Sequence, residues 1–289
     1  MRLLNFKNTW SKIAGTSCLT ALLNSFALGV AKADVSDVMD SAWGTISSGF
    51  DYIWPSGREM QDFEFRLGLG TGIMPDYIGS NNYSWKFVPL IDIRFKDIWA
   101  IQGTKFRVNL LKNKNIKFGP TLKYHSGRGE NKNPALKGMG SIGATMQAGG
   151  FLELKSKYVI FNADLRQSFG SGQGSSLVLL LAHGIYQKDE FTLGMGYRFK
   201  WGSKGHNLTN FGITQTQSTA TGLYSFTPGG GFNNGSANLI GRYQLSNHTR
   251  IEGLISMGLM MGSSGSSPLV TIEGGEFQLT AGFGFRAAF

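Results

Sequence analysis

Cysteine is almost absent from this chain, which has one, Cys18, among 289 residues. Cys18 lies in a leader that we expect to be removed, so the mature protein should have neither a disulfide nor a thiolate metal site. Long apolar stretches are lacking too, because no run of about 20 apolar residues follows residue 33. Transmembrane helices are therefore excluded for the mature protein. Disorder is disfavoured because 41% of the residues are hydrophobic.

The leader, residues 1–33, has the pattern of a signal peptide. A basic start is followed by an apolar stretch from 13 to 30 and by Ala31-Lys32-Ala33, which has the A-x-A form of a cleavage site. We expect cleavage after Ala33; the alternative is an N-terminal helix of the folded protein. The basic residues of the leader are Arg2, Lys7, Lys12 and Lys32. Their loss lowers the formal charge from +10 to +6, which is too small and too scattered to indicate nucleic acid.

From Asp62 onward, apolar residues alternate with polar residues or glycine over segments of about ten to fourteen residues. The clearest is the last segment, whose apolar side consists of Phe277, Leu279, Ala281, Phe283, Phe285, Ala287 and Phe289. Its other side consists of Gln278, Thr280, Gly282, Gly284 and Arg286. A period of two predicts β-strands. We expect Thr280 and Gly282 to tolerate a small polar side chain better than Phe283 tolerates a charge.

Segments of this length fit a membrane better than a soluble sandwich, which is the alternative. Strands of soluble proteins average five to six residues, whereas about nine to eleven are needed to cross a bilayer at a tilt. Backbone groups in lipid must all be paired, so a membrane sheet closes on itself. The sequence therefore predicts an all-β fold, a transmembrane antiparallel β-barrel with apolar side chains toward lipid and polar side chains and glycines toward the lumen.

The barrel should have about twelve strands, an even number as in other single-chain bacterial barrels. The predicted strands are 62–73, 84–96, 98–111, 115–126, 141–155, 157–169, 175–187, 189–201, 207–217, 233–245, 248–260 and 275–289. Ten or fourteen strands are the alternatives, because the pattern is weak at 138–150 and 207–222. Glycine- and serine-rich links predict long loops, and these are 74–84, 125–140, 202–207, 219–233 and 262–274.

Residues 34–60 stand apart from the leader (1–33) and from the barrel (61–289). Apolar residues from Val35 to Ile46 follow helical spacing, and Asp34 and Asp37 lie where the helix dipole favours anions. We predict a short amphipathic helix, with a plain linker as the alternative because glycine and serine follow. Such a helix would plug the lumen, lie on the periplasmic face of the membrane or dock a partner.

Three stretches of the chain resemble the MipA/OmpV family of Gram-negative outer membrane proteins. The first runs from Gly68 to Phe95 and includes Pro75-Asp76-Tyr77-Ile78-Gly79-Ser80. The second runs from 210 to 223, and its matching residues are Phe211, Gly212, Thr214, Gln217, Ser218 and Gly222. The third is Ser267-Pro268 and the strand that ends in Phe289, a terminal aromatic residue similar to the signal that the barrel assembly machinery reads. The resemblance covers about residues 62–289.

The resemblance implies an outer membrane barrel without known catalysis. Some members of this family are scaffolds that join a lytic transglycosylase to a bifunctional penicillin-binding protein in peptidoglycan growth. The implied partners are thus outer membrane lipid, the barrel assembly machinery and, in a scaffold, those two peptidoglycan enzymes. Other members are described as surface antigens, adhesins or osmotic-response proteins. A passive diffusion pore and a surface adhesin are the alternatives.

The candidate interaction site is the loop that contains Pro75, Asp76, Tyr77, Gly79 and Ser80. Pro75 and Gly79 favour a fixed turn, which would present Tyr77 as an exposed anchor. The alternative is a structural turn that holds two strands in register.

Charges of both signs fall at positions that face the lumen: Glu64, Arg66, Asp92, Arg94, Asp164, Arg166, Arg198, Arg242, Glu252 and Arg286. They can line a narrow pore or pair across the lumen and close it, and we expect the closed interior.

The chain has four histidines that could serve as a catalytic base, which are His125, His183, His206 and His248. A hydrolase needs a histidine within reach of a nucleophile and of an orienting acid. His125 and Ser126 are adjacent, but neighbours on a strand point to opposite faces. No H-E-x-x-H motif is present. The sequence therefore predicts a protein that binds, with no catalytic, metal or cofactor residue.

Overall fold

A computed structural model describes residues 62–170 and 174–289. The predicted leader and the predicted helix at 34–60 lie outside these residues, so both stay predictions, as does the division of the chain into three parts. No helix in the described residues is long and apolar enough to cross a membrane.

The described residues form thirteen antiparallel strands in one closed sheet. The strands are β1 (Phe63–Pro75), β2 (Tyr83–Phe95), β3 (Trp99–Gln102), β4 (Lys105–Val108), β5 (Leu111–Lys112), β6 (Ile116–His125), β7 (Thr145–Lys155), β8 (Val159–Phe169), β9 (Ser175–Lys188), β10 (Phe191–Gly202), β11 (Gly231–Gln244), β12 (Thr249–Met260) and β13 (Phe277–Ala288). β13 pairs with β1. β4 and β5 pair one after the other along β6 and share one position in the wall, so twelve positions surround the lumen. The predicted transmembrane β-barrel of about twelve strands is confirmed.

Two of the predicted strands are wrong. The number of strands is still twelve, because one predicted strand is two strands in the structure and another is not a strand. The segment 98–111 is not one strand but a hairpin of β3 and β4, which turns at Gly103, where φ is +56°. The segment 207–217 is helical, because it belongs to α1 (Lys204–Phe211) and α2 (Gln215–Thr221). A side-chain oxygen caps the first turn of each helix, which stabilises helix over strand.

The alternation in the sequence matches the two faces of the barrel wall. Phe283 and Phe285 on β13 are 58% and 46% exposed, whereas Thr280 and Arg286 on the lumen face are 3% and 4% exposed. The apolar outer face is the one that lipid covers. The expected tolerance of Gly282 is wrong, because a Cβ atom there would lie 2.7 Å from the carbonyl oxygen of Thr71.

Long loops gather at one end of the barrel, and short turns at the other. The loop end carries 76–82, 126–144, 203–230 and 261–276. The loop 261–276 contains α3 (Gly262–Gly265) and α4 (Pro268–Thr271), and the loop 126–144 contains two 3₁₀ turns. In outer membrane barrels the short turns are periplasmic and the long loops extracellular. The loop end is therefore extracellular.

The wall has a notch at the loop end between β2 and β6, above the tip of the β3–β4 hairpin. β2 pairs with β3 only from Asp92 to Phe95, and Gly103 N–H donates to the carbonyl oxygen of Ile91 at 2.9 Å. Beyond this point, within residues 62–170 and 174–289, no strand lies beside that edge of β2 from 83 to 90. Pro89 suits such an edge because it has no N–H to leave unpaired.

Candidate functional site

Six buried side chains from four loops make a hydrophobic cluster at the extracellular end, which we call the loop core. Its members are Tyr77, Leu136, Met139, Ile213, Leu223 and Leu269, each at most 6% exposed. Phe226 packs against them. Since the four loops bury their apolar side chains against one another, they cover the mouth of the barrel as one packed unit.

Tyr77 lies inside this cluster and is not the exposed anchor that the loop sequence predicted. It is 3% exposed, and its hydroxyl donates to the carbonyl oxygen of Leu269 at 3.0 Å. Burial raises the pKa of the Tyr77 phenol to about 12, while the positive charge of Arg128 acts in the opposite direction. The physical reason is the packing of the other loops over Tyr77, which sequence spacing does not reveal.

The other residues of this loop join β1 and β2 to neighbouring loops. Asp76 accepts hydrogen bonds from Ser84 Oγ at 2.6 Å and from Asn133 Nδ2 at 2.9 Å. Gly79 N–H donates to Gln278 Oε1 at 2.9 Å. Gly79 has φ +95°, and a Cβ there would lie 2.8 Å from a methyl carbon of Val270, so the position requires glycine. Pro75 ends β1, and Ser80 is fully buried. These contacts favour the structural turn, and a partner-binding role for the loop stays a prediction.

The second family-like stretch builds the α1–α2 corner beside Tyr77. Phe211 ends α1 with 3% exposure, and Gly212 follows as its C-cap. Thr214 and Gln217 form a capping box, and Gln217 Nε2 also donates to the Met139 carbonyl oxygen at 2.5 Å. Gly222 ends α2 with φ +77° and donates its N–H to Ser218 O at 2.9 Å. The residues that the resemblance selected therefore shape the corner, which was missed as a helix although T-x-x-Q is a helix-start pattern.

Phe289 lies at the periplasmic end. Its N–H donates to the carbonyl oxygen of Phe65 at 2.8 Å, and the two rings are 6.1 Å apart. The side chain is 66% exposed. Its proposed role in assembly stays a prediction.

Glu252 is the centre of one ion-pair network in the lumen. This fully buried carboxylate lies 2.6 Å from Arg250, 3.4 Å from Arg242 and 3.5 Å from Arg286. The three arginines come from three adjacent strands, so one carboxylate links β11, β12 and β13. Arg242, Glu252 and Arg286 were predicted to lie on the lumen face, and Arg250 was missed.

The charges predicted on β1 and β2 lie beside this network. Glu64 is 2.7 Å from Arg66, and Asp92 is 2.7 Å from Arg94 and 4.0 Å from Arg66. Glu64, Arg66 and Asp92 are buried, and the side chain of Arg94 is 17% exposed. Opposite charges thus pair within β1 and within β2, and the contact between Arg66 and Asp92 joins the two strands.

A second network covers the opposite wall. Asp164 lies 3.4 Å from Lys105 and 3.3 Å from Arg166, and Glu153 lies 3.2 Å from Arg107 and 2.8 Å from Lys155. Lys105, Arg107 and Glu153 were missed as lumen charges. The alternation along β7 would have predicted that Glu153 faces the lumen. Lys105 and Arg107 could not be assigned in this way, because β4 lies in the segment 98–111 that was predicted as one strand.

These features define the class of protein. A closed antiparallel barrel with an apolar outer face, short turns at one end and long loops at the other is the architecture of bacterial outer membrane proteins. Residues 67–289 match the family described as MltA-interacting protein MipA, so the chain belongs to that family. The family membership predicted from the three motifs is confirmed, and with it a location in the outer membrane.

Several solved outer membrane barrels are similar in shape, at low identity. A bacterial polysaccharide outer membrane secretin has 9% identity and a TM-score of 0.44, with 80% of this chain and 100% of that chain covered. The translocator domain of the autotransporter NalP from Neisseria meningitidis has 10% identity and a TM-score of 0.42, with 95% and 98% covered. The NanC porin has 7% identity and a TM-score of 0.39, with 78% and 98% covered. A search among curated proteins found no match.

Proposed function

We propose that this protein is a scaffold in the outer membrane that works by binding and not as an open pore. The observation that carries the proposal is the closed interior. In the inner half of the lumen the buried carboxylates Glu153, Asp164 and Glu252 each pair with at least two cations. At the outer end the loop core covers the mouth. An interior that is closed by ion pairs at its periplasmic half and covered by loops at its mouth leaves the two rims as the surfaces that a protein partner can reach.

The partner that we favour is a lytic transglycosylase. The support is the family's name, which describes proteins that interact with MltA. Because such an enzyme works on peptidoglycan, it would meet the periplasmic rim. A penicillin-binding protein is the second partner that a scaffold of this kind would join.

A rigid surface for such a partner is available at the periplasmic rim. The turns 109–115 and 156–158 are tied together, since Lys155 N–H donates to Asn115 O at 2.7 Å and Asn115 Nδ2 donates to Lys155 O at 2.9 Å. The exposed side chains of this rim surface include Leu110, Lys112, Lys114, Lys157 and Tyr158. Tyr158 is 63% exposed, and tyrosine often anchors interfaces. The surface fits a partner with an acidic, partly apolar patch.

Purified MltA-type transglycosylase tests this proposal directly. The double variant Lys114→Glu/Tyr158→Ala should bind it at least tenfold more weakly than the wild type in a titration with detergent-solubilised protein. Tyr224→Ala is the matched control, because Tyr224 is 55% exposed but lies at the loop end. Absence of binding to the wild type, or equal weakening by the control, would contradict the scaffold.

Enzymatic hydrolysis finds little support at His125, the histidine that precedes Ser126 in the sequence. His125 is 6% exposed, and its Nδ1 accepts the N–H of Gly127 at 3.0 Å. One ring nitrogen is thus occupied by a backbone contact, which suits a structural histidine. We propose that the protein is not an enzyme. Hydrolysis of a lipid or peptide by the purified protein, lost in His125→Ala with the barrel intact, would refute this.

A diffusion pore is the second candidate, favoured by a cavity beneath the loop core that Lys86, Arg198 and Lys200 line. Conductance in a planar bilayer separates the two functions. A scaffold with a closed interior should show no stable single-channel steps, and regular steps would favour the pore.

A further inference from the structure

The notch exposes one edge of β2, with its backbone hydrogen-bonding groups. Odd-numbered residues of β2 direct N–H and C=O toward β3, as the bond from Gly103 N–H to the carbonyl oxygen of Ile91 shows. At Trp85 and Phe87 the same side of the strand faces the notch. Neither residue has a backbone partner on that side within residues 62–170 and 174–289. The edge therefore offers donors and acceptors in the alternating arrangement of a sheet edge.

Pro89 marks the point at which β3 stops pairing with β2. It is the next residue after Ile91 on this side of the strand, and it has no N–H to donate to a longer β3. Its carbonyl oxygen faces the notch. The sequence thus ends the pairing of β3 at Pro89 and leaves the edge beyond it with complete N–H and C=O groups.

The notch lies at the depth of the lipid-facing wall. Phe87 is in register with Thr71, which is in register with Phe283 on the outer face of β13. The ring of Phe87 is 70% exposed and that of Phe283 58%, as expected for a residue that lacks a neighbouring strand on one side. Backbone groups that face hydrocarbon must be paired. An occupant of the notch must therefore supply both donors and acceptors.

An extended polypeptide meets this requirement best. The hydrocarbon chain of a lipid has neither donors nor acceptors. A second copy of this barrel fits poorly, because both copies insert in the same direction and their strands, tilted by about 35–45°, would cross at the contact. Below the notch β3 and β4 separate β2 from β6, with neighbouring strands about 4.8 Å apart. A gap of this width accepts an added strand.

We propose that the notch, which is part of the extracellular rim, binds an extended segment of a partner protein as a further strand on β2. Main-chain bonds to Trp85, Phe87 and the carbonyl oxygen of Pro89 hold the segment. Its side chains are alternately apolar, toward lipid beside Trp85 and Phe87, and polar, toward the lumen beside Lys86. The site stands whether or not a transglycosylase binds at the periplasmic rim.

A synthetic peptide tests whether main-chain bonds carry the binding. The probe is a fluorescent ten-residue peptide of alternating valine and serine, and its matched control has the same sequence with every amide N-methylated. In fluorescence anisotropy with the full-length mature protein in detergent, the probe should bind at least ten times as tightly as the control. No binding of the probe, or equal binding of both peptides, would overturn the proposal.

Hydrogen exchange assigns the binding to the edge of β2. The probe should slow exchange of the Trp85 and Phe87 amides at least tenfold and leave Lys86 and Val88, which face β1, unchanged. Unchanged exchange at Trp85 and Phe87 while the probe binds would refute the site. Slow exchange without the probe would also refute it, since slowing by lipid nanodiscs would identify lipid as the occupant and slowing by higher protein concentration a second copy.

A proline variant removes one donor from the notch. Phe87→Pro lacks the N–H that faces the notch and keeps the pairing with β1, as Pro89 does. It should bind the probe at least fivefold more weakly, whereas Phe87→Leu keeps the N–H and should bind as the wild type does. Equal affinity of the two variants, with both barrels shown intact by their heat-modified electrophoretic mobility, would contradict the proposal. If Phe87→Pro fails to fold, the N-methylated peptide and the exchange rates still decide.

Discussion

The hydroxyl of Tyr77 donates a hydrogen bond of 3.0 Å to the carbonyl oxygen of Leu269, a residue 192 positions later in the chain. The bond joins the loop after β1 to the loop before β13. Both residues are at most 3% exposed, so water does not compete for the bond. The first and last strands of the barrel, β1 and β13, are thus joined both by their pairing and by the loops next to them.

Removal of this hydroxyl should loosen the loops. Tyr77→Phe leaves the carbonyl oxygen of Leu269 buried and without this donor, which we expect to cost about 1–3 kcal/mol of stability. Limited proteolysis under native conditions should cut the loops faster than in the wild type. Tyr224→Phe, at an exposed tyrosine of the same end, serves as the control and should leave the cutting rate unchanged. Equal rates in all three proteins would show that the bond does not hold the loops.

Alkaline pH should have a similar effect through the same phenol. The pKa of Tyr77 is raised from an ordinary 10.0 to about 12 in the folded protein. A group whose pKa is raised by folding contributes its full stability below the unfolded pKa and loses it as the pH rises toward the folded pKa. The loop core should therefore weaken between pH 10 and pH 12. Proteolysis with an alkaline protease should accelerate in this window for the wild type and less for Tyr77→Phe. A Tyr77→Phe profile identical to that of the wild type would contradict this.

Glu252 should be the most sensitive charge of the lumen. Glu252→Gln leaves Arg242, Arg250 and Arg286 without their shared carboxylate, and breaking a buried ion pair costs about 3–5 kcal/mol. Urea unfolding followed by tryptophan fluorescence measures the change in the free energy of unfolding. Glu190→Gln, on an exposed turn, is the control and should shift it by less than about 0.5 kcal/mol. A similar shift for both variants would mean that the network contributes little.

Substitutions on the two faces of β13 should change the stability of the barrel by different amounts. Phe283→Arg places a charge on the lipid face and should cost about 2–4 kcal/mol near the midplane. Thr280→Ser on the lumen face should cost far less. Gly282→Ser should also be destabilising, since a Cβ there would meet the backbone of Thr71. Refolding titrations into lipid vesicles rank the three variants. Tolerance of Phe283→Arg would contradict the assignment of the outer face.

The wall could be predicted from the sequence because a lipid-facing strand repeats its pattern over many residues. The β3–β4 hairpin was not predicted, because each of its strands has four residues, which are too few to show a separate pattern. The sign of the hairpin is that the inward-facing residues change from even to odd numbers. Ala100 and Gln102 face inward before the turn, and Lys105 and Arg107 face inward after it. A strand that simply continued would have kept even-numbered residues inside.

The loop end was less predictable, because its structure depends on contacts between distant parts of the chain. The helix-start pattern Thr214-x-x-Gln217 was available locally and would have identified α2. The burial of Tyr77 had no comparable local sign, since Leu269 and Leu136 reach it from other loops. The cavity beneath the loop core is lined by Lys86 from β2 and by Arg198 and Lys200 from β10, which no spacing rule brings together.

The notch makes a prediction about individual backbone amides. Ile91 directs its carbonyl oxygen toward β3, so by the period of two the N–H groups of Trp85 and Phe87 point into the notch, whereas those of Lys86 and Val88 point toward β1. Hydrogen exchange of Trp85 and Phe87 should therefore be faster than that of Lys86 and Val88 on the same strand. Nuclear magnetic resonance of the protein in detergent micelles resolves these four amides. Equal protection along β2 would mean that this edge is covered and that the wall has no notch.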